Sequence, residues 1–172
     1  MVSPQNPQKA NPQPASPQPT TAERRLAELG IELPPAPRPI GAYAESVQTG
    51  NLLYLSGVLP VVAGQPRFVG RLGKELEVEQ GREAARIAAV NVLSAARDHL
   101  GSLDQVTRVV KLTVYLATEG EFAAHAKVAD AASELLRDVF GEDKLPVRMV
   151  LGVASLPLGV PVVVEVLFEV KA

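Results

Sequence analysis

From Val162 to Val170 the chain reads VVVEVLFEV, and its two alternating faces differ. Val162, Val164, Val166, Phe168 and Val170 fall on one side, because successive side chains of a strand point to opposite faces. That side is apolar throughout and fit to pack on helices. The other reads Val163, Glu165, Leu167 and Glu169. It is too apolar for open solvent and too charged for a private core. A face of this composition is expected to meet another subunit.

The same period recurs over 106–117, VTRVVKLTVYLA. It places Val106, Val110, Leu112, Val114 and Leu116 on one side and Thr107, Lys111, Thr113 and Tyr115 on the other. Upstream, YAESVQTGNLLYLSG predicts two strands joined around Thr49-Gly50-Asn51, with Gly57 ending the second. RFVG at 67–70 is a candidate short strand. Between these segments the period changes. Val78–Leu100 is predicted helical, with Ile87, Val90, Leu93, Ala96 and Leu100 on one stripe and Gly101 as the stop. A second helix is expected over Glu121–Phe140, with Phe122, Ala129, Ala132, Leu136 and Val139 or Phe140 inward and Gly141 at its end. The segment 145–170 then supplies two strands, broken at SLPLG by Pro157 and Gly159. The order β-β-(β)-α-β-α-β-β implies an α+β fold, a mixed sheet with two helices on one face.

The N-terminal part follows other rules. Residues 1–19 hold mostly Pro, Gln, Ser, Asn and Ala. Such a segment buries too little apolar surface to offset its ordering entropy, and a disordered tail is expected. Thr20 and Glu23 have capping-box spacing and Gly30 suits a helix C′ position. IELPPAPRPI is extended by its prolines. The division is therefore a tail over 1–19, a helix and linker over 20–40, and a compact domain over 41–172.

Composition narrows the chemistry. The chain has 172 residues, 47% hydrophobic and 21% charged, with 17 Lys+Arg against 19 Asp+Glu. This balance suits one globular domain and offers no basic face for nucleic acid. Cysteine is absent, which removes disulfides, thiolate nucleophiles and cysteine-type zinc sites. His99 and His125 lie in separate helical segments, so no metal is expected. Apolar runs fall short of the ~20 residues of a membrane span, and no apolar signal-like stretch opens the chain. A cytoplasmic protein without cofactor is the expectation.

A few residues can carry chemistry. Arg148 opens an otherwise apolar strand, where an unpaired charge would cost several kcal/mol. Two partners are open to it: an intersubunit salt bridge, to Glu165 or Glu169, or the carboxylate of a small ligand, gripped as a bidentate clamp. Tyr43 is either a core aromatic or a pocket hydroxyl. Ser56-Gly57 is either a turn or an exposed hydroxyl. Neither a nucleophile elbow nor a dinucleotide fingerprint is present, and Gly70-Arg71-Leu72-Gly73 lacks the lysine and spacing of a phosphate loop.

Taken in order, GAY, GNLLYLSGVLP, VVKLTVYLA and PVRMVLGVASLPLGVPVVVEV resemble the landmarks of the RidA/YjgF family. These are reactive-intermediate imine deaminases, long labelled L-PSP endoribonucleases. The resemblance runs from about Ala36 to Val170, and LAELGIELPPAPRPIGAY is similar to a branch with an extra N-terminal helix. It implies a chorismate-mutase-like fold assembled as a homotrimer, with the sheets lining a barrel. Small-carboxylate or imino-acid ligands would then sit in clefts between subunits.

By this resemblance Arg148, in Pro146-Val147-Arg148, grips the carboxylate of a 2-imino acid, and Tyr43 and Ser56 belong to the pocket. Three positions depart. The last-strand glutamate that orients or activates water is Val163. The cysteine two residues past the arginine is Val150, and the glutamine after the Ser-Gly pair is Val58. Glu165 falls where the family has a second acidic residue, and it is the candidate base. Two functions are expected of such a chain: a 2-iminoalkanoate deaminase, or a trimer that binds a small carboxylate without catalysis. Ribonuclease activity is disfavoured by the slight acidity and the lack of a histidine pair.

Overall fold

The structure is a computed structural model and describes residues 20–172. The tail expected over 1–19 lies outside the described residues. In chain order the elements are α1 (Ala22–Glu28), β1 (Ser46–Thr49), β2 (Leu52–Leu55), β3 (Val61–Val62), β4 (Gln65–Pro66), α2 (Val78–Leu100), β5 (Val106–Ala117), α3 (His125–Phe140), β6 (Val147–Val153) and β7 (Val162–Val170). Five strands form one mixed sheet in the order β1-β2-β7-β5-β6. Only β5 and β6 run parallel; the other neighbours are antiparallel. β3 and β4 make a separate small hairpin.

α2 and α3 pack against each other and cover one face of the sheet, α2 over β7 and α3 over β5 and β6. α2 starts with a reciprocal cap between Glu77 and Gln80 and stops at Gly101, whose φ of 76° is left-handed. Its buried side is rich in alanine (Ala84, Ala85, Ala88, Ala89, Ala95, Ala96), which lets helix and sheet approach closely. The apolar side of β7 is in the core as expected, with Val162, Val164, Val166, Phe168 and Val170 all at 2% exposure or less.

Five details differ from the sequence reading. Thr21 rather than Thr20 caps α1, accepting from the Arg24 N–H at 3.3 Å. Glu23 spends its groups on tertiary contacts instead: its N–H donates to Asp104 at 3.0 Å and its carboxylate accepts from the Leu103 N–H at 2.9 Å. In β5 the buried valine is Val109, while Val110 is half-buried. Register shifts at Val106/Arg108 and Val109/Lys111 insert extra residues against β7, and each bulge moves the following side chain to the other face. RFVG forms no strand; its place is taken by β3 and β4, just before it. α3 begins at His125, and Phe122 packs edge-on against that histidine before the helix starts.

β6 is the fifth. The sequence reading made it a largely buried strand, yet Val147, Met149 and Leu151 are 72%, 50% and 44% exposed. It lies at the sheet edge, paired with β5 alone, so the face turned away from the helices has nothing over it among the described residues. That face also carries Tyr54 and Val47, 45% and 54% exposed.

Candidate functional site

Arg148 stands on β6 opposite Leu112 of β5, which puts it on the helix side of the sheet. α3 presents Asp130 and Ser133 there, one turn apart. Arg148 Nη1 donates to Asp130 Oδ1 at 2.7 Å and to Ser133 Oγ at 3.0 Å. Both contacts use the same nitrogen, so Nε and Nη2 keep the fork that a planar carboxylate accepts. Glu165 and Glu169, by contrast, lie on the other side of the sheet. Val150 follows Arg148 on the helix side and packs half-buried on the core.

Tyr43, Ser56, Gly57 and Val58 line a cavity of about 740 Å³ near the opposite edge of the sheet. Its walls are the proline segment 34–40, the β3–β4 turn, Leu158, and one flank of α2. This explains the α2 stripe. Leu93 and Ala96 face the core, but Ile87 and Val90 are half-buried and turn to the cavity. Asn91 is 3% exposed and braces the wall, its Nδ2 donating to the Leu59 and Val61 carbonyls at 3.0 and 2.9 Å. Tyr43 is exposed, and its hydroxyl oxygen accepts from the Ile40 N–H at 3.3 Å. Burial, with help from nearby Asp98, pushes the Glu45 carboxyl above its usual range.

Behind that cavity lies Val163. It is buried, and a methyl group added at Gly57 would come within 2.9 Å of its Cγ1. Val163 pairs with Tyr115 across the β5–β7 ladder, and Thr113 pairs with Glu165. The Tyr115 hydroxyl donates to Glu165 Oε2 at 3.2 Å. Burial and the adjacent carboxylate hold this phenol above its usual 10.0. The Thr113 hydroxyl, 2% exposed, has no hydrogen-bond partner among the described residues.

The six residues singled out from sequence therefore fall into three places. Arg148 and Val150 share the β6 edge, Tyr43 and Ser56 share the cavity, and Val163 and Glu165 lie on the face away from the helices. From β2, which Ser56 follows, to β6 there are three strand spacings, roughly 14 Å. One chain does not bring the arginine to the tyrosine and serine. Sequence reasoning missed Asp130, Ser133 and Tyr115. The first two carry a helical signal, polar residues at i and i+3 on one face; Tyr115 carries none, because it reads as an ordinary strand aromatic.

No group of three or more potential metal ligands occurs among the described residues, and none of their helices is long and apolar enough to cross a membrane. The YjgF/chorismate-mutase-like family, whose description names an endoribonuclease, matches residues 23–170.

The chain belongs to the RidA/YjgF family.

Among relatives, protein TCP17 of Trypanosoma cruzi is 41% identical over 147 residues, 85% of this chain and 92% of that one. A 2-iminobutanoate/2-iminopropanoate deaminase of Dermatophagoides farinae is 30% identical over 137 residues, 78% of this chain and 91% of that one. A solved protein of unknown function from Agrobacterium tumefaciens superposes with a TM-score of 0.80 at 36% identity, covering 87% of this chain and 92% of its own. The RidA/YjgF match takes in α1 from Glu23 onward and ends at the last residue of β7.

Proposed function

We propose that this protein is a homotrimer that binds 2-imino acids between subunits and hydrolyses them to 2-keto acids. The balanced reaction is R–C(=NH)–COO⁻ + H₂O → R–CO–COO⁻ + NH₃. One observation carries the reading. The guanidinium fork of Arg148 and the polar groups of Tyr43 and Ser56 stand at opposite edges of one sheet, so a site using both takes Arg148 from one copy and the cavity from the next. The exposed apolar residues Val47, Tyr54, Val147, Met149 and Leu151, on the face away from the helices, supply the surface for such an assembly. The Dermatophagoides farinae relative bears the name of this activity.

In this reading Arg148 holds the substrate carboxylate through Nε and Nη2. Tyr43 and Ser56 hydrogen-bond near the imine carbon as water adds and ammonia leaves. Glu165 is the carboxylate of β7 nearest the Val163 position. It sits two residues along on the same face, roughly 6.6 Å away, and Tyr115 holds it.

Val163 favours a second reading, a carboxylate-binding trimer without catalysis. A valine takes no proton, and loss of a positioned base costs ~10²–10⁴ in rate. The deciding assay follows 2-keto acid release from freshly generated 2-iminopropanoate for wild type, Arg148→Ala and Val163→Glu. Wild-type acceleration that Arg148→Ala abolishes supports the deaminase. An inert wild type that gains activity with Val163→Glu leaves a binder with an intact cleft. Sedimentation at micromolar concentration tests the trimer, and a monomer there overturns it.

A further inference from the structure

The 740 Å³ cavity is far larger than a three-carbon imine requires; it falls within the ~300–1,000 Å³ of pockets that hold drug-sized ligands. Its extra space is apolar. Ile87 and Val90 of α2, Pro37 and Ile40 of the linker, and Leu158 give it hydrocarbon walls. Arg38 and Arg86 also line it, as do Glu45 and Glu83, so its charged groups balance and the hydrocarbon surface sets what it holds.

Backbone strain gathers at the same place. Among the described residues, Ala63 and Leu158 are the non-glycine residues with left-handed backbone, at φ 51° and 57°. Both line the cavity. A bulky residue is rarely held in that region, and the strain persists only where surrounding structure offsets it. At Leu158 the strained backbone sets a half-exposed leucine on the cavity wall, 53% exposed, where it has apolar surface to offer.

We infer that this cavity receives the side chain of the substrate, and that the substrate is a 2-imino acid with a large branched or aromatic apolar side chain. The inference rests on the 2-imino acid reading above and assigns its substrate class. Tyr43 and Ser56 meet the reacting end, while Ile87, Val90 and Leu158 enclose the hydrocarbon. Each methylene moved from water into such walls tightens binding by about fourfold. A leucine- or phenylalanine-derived ligand therefore binds at least tenfold more tightly than its alanine-derived counterpart.

The test is calorimetry on the full chain with the stable 2-keto acids, pyruvate, 4-methyl-2-oxopentanoate and phenylpyruvate, beside the imine assay on the corresponding imines. Wild type is expected to prefer either large keto acid over pyruvate by tenfold or more. Ile87→Trp and, separately, Val90→Trp fill the space, and the preference is expected to fall toward one. Equal binding of all three keto acids, no binding of any, or a preference untouched by a folded tryptophan variant overturns the inference. The two readings fail separately. Size-selective keto acid binding without imine hydrolysis sinks the deaminase and leaves the pocket assignment standing; imine hydrolysis indifferent to side-chain size does the reverse.

Discussion

Tyr115 donates its phenolic hydrogen to Glu165 across the β5–β7 ladder, with 3.2 Å between the oxygens. The phenol is held above its usual 10.0, first by burial and then by that carboxylate. The folded protein therefore keeps a proton that the unfolded chain releases near pH 10. Stability from this group is complete below about pH 10 and falls as pH rises from there through the folded value. Tyr115→Phe is expected to flatten the alkaline limb of the stability curve. A difference titration at 295 nm, wild type minus variant, should place the midpoint above 10; a midpoint at or below it refutes the pairing.

The neighbouring Thr113 hydroxyl is buried without a partner among the described residues. Replacing such a group by its apolar isostere removes a desolvation penalty of ~1–3 kcal/mol. Thr113→Val is expected to raise the melting temperature by about 2–4 °C per kcal/mol recovered. A fall instead would mean that water or a second copy satisfies the hydroxyl in the assembled protein.

Gly57 and Val163 are coupled by space. A methyl group at 57 would stand 2.9 Å from Val163 Cγ1, so Gly57→Ala should cost ~1–3 kcal/mol as overpacking. Val163→Ala opens that space. The double variant is expected to be more stable than the sum of the singles by ~0.5–3 kcal/mol in urea titrations, and strict additivity would remove the contact.

Arg148 and Asp130 form a partly exposed pair, with side chains 27% and 46% accessible, of a kind worth about 0–1 kcal/mol. Arg148→Ala should therefore leave the fold intact while weakening pyruvate binding by about ten- to a hundredfold. Asp130→Asn removes an anion that competes for the guanidinium, and the affinity for pyruvate should rise several-fold. Calorimetry reads both, and a drop in affinity for Asp130→Asn would make the aspartate an orienting partner instead.

Much of the architecture was legible along the chain because it rests on local periodicity. The apolar face of β7, the span of α2 and the turn at Gly50 depend on side-chain alternation, helical spacing and glycine geometry. β5 shows where this reading stops. A bulge changes which residue faces inward without changing composition, so Val109 took the place expected of Val110. α2 shows it again: Ile87 and Val90 belong to the apolar stripe, but the stripe is wider than the core it covers, and the surplus walls a cavity.

The sequence by itself determined the elements, the two unequal faces of the last strand, and the single arginine, Arg148, that opens an otherwise apolar strand. Those are properties of neighbouring residues. Only the tertiary structure decided that Arg148 is held by Asp130 through one nitrogen, that Tyr115 engages Glu165, and that the arginine and the cavity stand at opposite edges of the sheet. The order β1-β2-β7-β5-β6 joins strands more than a hundred residues apart. Pairing at that range is settled by burial of the whole apolar face, which no local pattern encodes.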